Sequence, residues 1–140
     1  MAYAFYIKNE RSMPFAELVT YGHKIWETRS RRTLDKLVNT PDPVYIIRTG
    51  RGKNEPSMII GRCYIRRPEF IQADRFKDPD VIAKTYVFPD SNFYPVGVPG
   101  KWCYPIKQAE PLRVSVPVPD NAIKHGRTWI EFDENGVIIA

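Results

Sequence analysis

The spacing of apolar side chains changes repeatedly along these 140 residues, and each change predicts an element. Tyr3 to Ile7 alternates aromatic and small residues, the signature of a first strand. Ser12 or Met13 with Pro14 then starts a short helix, because proline's missing donor costs nothing in the first turn. Phe15, Leu18 and Val19 form its apolar stripe, and Gly22 stands where a left-handed residue ends it. Ile25 to Thr28 is β-forming. Strict alternation places Lys24, Trp26 and Thr28 on one face of that strand and Ile25, Glu27 and Arg29 on the other. Thr33 is a candidate cap for a short helix over Leu34 to Val38.

Pro41-Asp42-Pro43 marks a turn into Val44 to Thr49, the most strongly β segment of the chain. In Met58 to Ile65 the pattern turns Ile59, Gly61, Cys63 and Ile65 inward and Arg62, Tyr64 and Arg66 outward. Gly61 marks a bulge or a close backbone approach. Glu69 to Ala73 resumes as a bent strand, and Asp78-Pro79-Asp80 opens a helix over roughly Val81 to Tyr86. Residues 88–100 read as a long irregular loop, a kind that in compact domains is usually functional. Period-two alternation returns over Lys101 to Ile106 and again at Leu112, Val114, Val116 and Val118. The prolines at 105, 111, 117 and 119 put these strands at an edge or force bulges. Thr128 to Phe132, a turn over Asp133 to Gly136 and Val137 to Ile139 predict a closing hairpin. The fold class is α+β: a partly open β-barrel of about six to eight short strands with two or three short helices, one domain spanning 1–140.

Composition sharpens this picture. Thirteen prolines argue against a helical bundle, and 43% apolar residues argue against disorder. The net charge of +5 suits a polyanionic partner. Cys63 and Cys103 belong to no C-x-x-C pair, so they read as core residues and neither a metal site nor a disulfide framework is expected. No cofactor motif is present: Gly50 to Ser57 has glycines and cations but lacks the spacing of a phosphate-binding P-loop. There is no basic leader and no apolar run of about 18 residues, so the expected location is cytoplasmic, with no membrane association.

The chemistry concentrates in Gly22 to Arg32. Glu27 and Arg29, two apart on a strand, can pair, while Lys24 sits at the helix-to-strand corner. Arg29, Arg31 and Arg32 form a cationic knot before the helix expected at Leu34, an arrangement that favours phosphate oxygens. Gly22, Lys24, Glu27 and Arg29 match the G-x-K-x-x-E-x-R signature of ASCH domains, and the chain resembles that PUA-like family. Four fixed positions match by chance on the order of once in several hundred chains of this length. The resemblance extends more loosely to the preceding helix, to Val44–Thr49 with Gly50, to Ile60-Gly61 and to the strand Trp102 to Ile106. It implies a barrel whose cleft is lined by the motif and holds RNA or a nucleobase.

Three functions are expected from these residues. The first is binding of RNA, a single nucleotide or a modified base. Lys24, Glu27, Arg29, Arg31, Arg32 and Arg51 would serve the polar groups, and Tyr94 and Trp102, chosen from Trp26, Phe93, Tyr94, Trp102 and Tyr104, would stack on bases. The second is a hydrolase, either a ribonuclease or an amidohydrolase, with Lys24 and Glu27 as its catalytic pair. Amidohydrolase members of the family use a threonine nucleophile at the position where this chain has Glu27, so that nucleophile is absent here. Lys24 crowded by Arg29 would have a lowered pKa suited to a general base, and His23 and His125 are further acid–base candidates. The third is a protein-interaction module receiving an acidic peptide in the same cleft.

Overall fold

The structure, a computed structural model, describes residues 1–136. Its strands are β1 (Ala2–Ile7), β2 (Trp26–Arg29), β3 (Val44–Arg48), β4 (Met58–Ile65), β5 (Glu69–Gln72), β6 (Gly100–Pro117), β7 (Ile123–His125) and β8 (Trp129–Phe132). Two helices, α1 (Phe15–Thr20) and α2 (Pro79–Thr85), accompany them among the described residues. The sheet order is β2-β6-β4-β3-β1-β8-β7, with β5 also on β6. Its end strands do not pair, which leaves the expected partly open α+β barrel. β1 and β3 run parallel, and every other pair is antiparallel.

β1 and β3 are buried on both faces. Phe5, Ile7, Val44 and Ile46 face α1, where Phe15, Ala16 and Val19 close one core. Ala4, Tyr45 and Ile47 face a second core with Leu112, Ile130 and Phe132. A third cluster, Ile71, Phe76, Val81, Val87 and Cys103, lies beneath α2. Full burial of each large side chain contributes about 1.5–3 kcal/mol, and the central strands are β-branched and aromatic, so the apolar pattern accounts for where the chain folds in on itself.

α1 begins after Pro14 as expected. Its free end is capped from a distance, since Asn9 Oδ1 accepts from the Ala16 N–H at 2.8 Å while Asn9 Nδ2 donates to Glu17 at 2.7 Å. It ends at Gly22, whose φ of 80° is left-handed.

Several elements depart from the sequence reading. Ile46 pairs with Gly61 and Ile47 with Ile59, so Ile60 is an extra, bulged residue. The bulge reverses the alternation: Ile60 joins the α1-side core and Ile59 turns to the other face, not to the side of Cys63 and Ile65. Gly61 also marks a close approach, because a Cβ there would lie 2.6 Å from Thr20 Cγ2 and 2.9 Å from the Glu110 carbonyl. The two strands expected over 101–118 are one long strand, bent at Gln108 with φ 52°. Between the pairs Gly61–Pro111 and Ile59–Val116 it carries surplus residues, and Val114 falls among them, 72% exposed where alternation had put it inward. The helix expected over Leu34 to Val38 shortens to a 3-10 turn at Asp35–Leu37, and Thr33 makes no cap; its hydroxyl is buried without a partner. β8 forms its hairpin with β7, through Gly126 at φ 62°. Glu134–Gly136 is a 3-10 turn, and the arm expected at Val137 to Ile139 lies outside the described residues. Among the described residues no helix is long and apolar enough to cross a membrane.

Candidate functional site

Between α1, the end of β1, β2 and the segment after α2 lies a cleft of about 420 Å³. Lys24, Glu27 and Arg29 line it together. This differs from strict alternation, which put Lys24 on the face opposite Glu27. The reason is local. β2 starts only at Trp26, and the backbone before it is held by other elements: the N–H groups of His23 and Lys24 both donate to the Leu18 carbonyl, and that of Ile25 donates to the Lys84 carbonyl at 3.0 Å. Lys24 therefore belongs to the corner, and period two does not reach it.

The Lys24 side chain is 2% exposed. Its Nζ donates to the Thr85 carbonyl at 2.5 Å, lies 3.8 Å from Glu27 Oε1 and sits 5.1 Å from the centre of the Phe15 ring. Thr85 is the last residue of α2, where carbonyls lack helical partners and favour a cation. The other carboxylate oxygen of Glu27 accepts from Arg29 Nη2 at 2.9 Å, and the same nitrogen donates to the Tyr6 carbonyl at 2.6 Å. Arg29 Nε is buried without a partner. Two cations thus meet one carboxylate in a desolvated place, an imbalance that favours a ligand rich in acceptors.

Burial pushes the Lys24 pKa below its ordinary value, Glu27 partly opposes this, and Arg29 adds a smaller lowering effect. Between the lowered value and 10.5 the unfolded chain binds more protons than the folded one, so the contribution of Lys24 to stability rises with pH across that window. Urea midpoints measured from about pH 7 to about pH 10 are expected to rise in the wild type relative to Lys24→Met. A difference that stays flat with pH contradicts the assignment.

Phe15 and Phe93 wall the cleft, in edge contact at 5.7 Å. Lys8, Thr49, Gly50 and Arg127 also line it. The loop carrying Phe93 is tied down by Glu10, whose carboxylate accepts from the Ser91 hydroxyl and, at 3.0 Å, from the Asn92 N–H.

Other expected site residues lie elsewhere. Tyr94 packs edge-on to Phe76 in the cluster under α2, so the neighbouring Phe93 takes the place at the cleft. Arg51 donates to the Asn9 carbonyl at 3.2 Å and lines a second, polar cleft that shares Thr49 with the first. Arg31 is exposed, and Arg32 pairs with Asp35 at 2.8 Å while covering Trp102. Arg29 and Arg32 therefore pair with separate acids while Arg31 is exposed, and with only a 3-10 turn behind them there is no helix N-terminus to hold an anion.

Tyr104 is a core residue whose hydroxyl donates to Asp35 at 2.6 Å, and Trp26 lies under Lys84. Neither His23 nor His125 lines the cleft; His125 stacks on Trp129 and pairs with Glu131. Both cysteines are buried, and burial raises their thiol pKa values, that of Cys103 to about 12. Phe15, Thr85 and the rim cations were missed by sequence reasoning. Phe15 carried a signal only as part of a core stripe, and the Thr85 carbonyl carried none.

No family model and no curated protein matches the chain. Solved structures do. A crystal structure of a serine-to-alanine variant of the ASCH protein from Zymomonas mobilis matches with a TM-score of 0.58 at 18% identity, over 82% of this chain and 72% of that one. A tyrosine-to-phenylalanine variant of the same protein matches with a TM-score of 0.53 at 14% identity, over 82% and 76%. The chain has the fold of an ASCH domain.

Proposed function

We propose that the cleft binds one unstacked base of RNA, or a single modified nucleoside. The observation that carries this reading is the buried Lys24–Glu27–Arg29 network in a cleft of about 420 Å³ walled by Phe15 and Phe93. That volume falls in the range of a small-molecule site. Flipped bases are held by flat apolar walls and by groups aimed at their polar edge. Glu27 is the acceptor for an exocyclic amine, and Lys24 and Arg29 are donors for ring and carbonyl acceptors. Lys8 and Arg127 at the rim meet the sugar–phosphate side.

Calorimetric titration with mononucleosides tests the reading. Cytidine and adenosine, which carry exocyclic amines, are expected to bind at least about tenfold more tightly than uridine, and the Lys24→Met/Glu27→Gln double variant is expected to lose that preference. Equal binding of all three by both proteins sinks the reading.

The position of Lys24 in the cleft, 3.8 Å from Glu27 and with its pKa lowered by burial, favours a second reading, a hydrolase in which Lys24 takes part in proton transfer. Incubation with labelled RNA and with N4-acylated cytidine separates the two. Product that Lys24→Met abolishes supports catalysis, and product unaffected by that change removes Lys24 from it.

A further inference from the structure

Beside the cleft lies a cluster of two aromatic rings and a guanidinium, whose proposed role rests on base binding within the cleft itself. Arg29 stands directly opposite Trp102 in the β2–β6 register, so their side chains are neighbours across the pair. The Phe70 ring meets the Trp102 indole edge-on at 5.2 Å, and the Arg32 guanidinium lies over that indole at 5.0 Å. Arg32 is held from a second side. Its Nε pairs with Asp35 at 2.8 Å, and Asp35 is itself fixed by the hydroxyl of the buried Tyr104. The outer side stays open, since the Arg32 side chain is 47% exposed and Phe70 is 40% exposed.

These restraints decide what Arg32 is suited to. A phosphate-binding cation is best left without an acid of its own, whereas Arg32 is already neutralised by Asp35. Its guanidinium lies over the indole with its other side exposed, and bases stack on guanidinium planes as they do on aromatic rings. We propose that Arg32, seated on Trp102 and beside Phe70, is the stacking platform for the nucleotide adjacent to the one in the cleft. The ligand of this face is then single-stranded RNA of at least two nucleotides.

The test compares the dinucleotide CpC with cytidine 3′-monophosphate, which has the base, sugar and phosphate but no second base. It uses the wild type, Arg32→Ala and Arg32→Lys; the lysine variant keeps the charge and removes the plane. In the wild type CpC is expected to bind at least about tenfold more tightly, and in both variants the ratio falls toward one. Equal binding of the two ligands by the wild type overturns the platform, and so does an Arg32→Lys ratio as high as that of the wild type. If the monophosphate fails to bind while CpC binds in an Arg32-dependent way, the cleft reading fails, and the platform as proposed is overturned with it, leaving Arg32 as a stacking site independent of the cleft. Binding of neither overturns both.

Discussion

Glu27→Ala is expected to destabilise the protein by about 3–5 kcal/mol, read as a lower urea midpoint at unchanged slope. Glu27 is the single carboxylate between Lys24 at 3.8 Å and Arg29 at 2.9 Å, and all three are largely buried. Without it two cations face each other out of water, and only the carbonyls of Thr85 and Tyr6 compensate them. The penalty of an unpaired buried charge exceeds the net worth of the intact network, because desolvation was already suffered when the chain folded. The double variant Lys24→Met/Glu27→Gln removes one charge of each sign but still leaves Arg29 without its carboxylate, so it is expected to recover only the part of the loss that is due to Lys24. A single Glu27→Ala variant as stable as the wild type contradicts the network. So does a double variant no better than the single one.

Gly100→Ala is expected to cost about 3 kcal/mol, the upper end for overpacking. A Cβ at Gly100 would lie 2.2 Å from the Ile71 carbonyl oxygen, 2.8 Å from Phe70 Cζ and 3.0 Å from Gln72 Cα. Two of these atoms are backbone and cannot rotate away. β5 must therefore shift on β6, carrying with it Ile71, which is fully buried against Phe76 and Val81. Phe70 and Trp102 sit on the same pair of strands, so the Trp102 indole N–H resonance should move as well. A variant of unchanged midpoint and spectrum would show that the strands accommodate the methyl group without moving.

Much of the fold was legible along the chain. Pro14 and Gly22 bracket α1, Gly61 marks a bulge and a close approach, and β-branched runs mark β3 and β4, because each of these signals is local backbone chemistry. The α+β, partly open barrel follows from their number and spacing. What was misread came from patterns carried across a break in the backbone. Alternation does not reach Lys24, because a turn held by Leu18 and Lys84 intervenes. It breaks likewise at the bulge at Ile60 and at the surplus residues around Val114. Thr33 had the chemistry of a cap, but the chain turns back after three residues.

The sequence by itself determined which groups the candidate site offers: a lysine after a helix stop, then a glutamate and an arginine two apart on a strand. Only the tertiary structure decided that they meet. Lys24 is drawn in by a carbonyl 61 residues away at the end of α2, and that same packing brings Phe93 to the cleft and leaves Tyr94 half-buried against Phe76. Backbone carbonyls are the same in every residue, so no side-chain pattern announces which of them will face a buried amine. Convergence of this kind is a property of the packed chain.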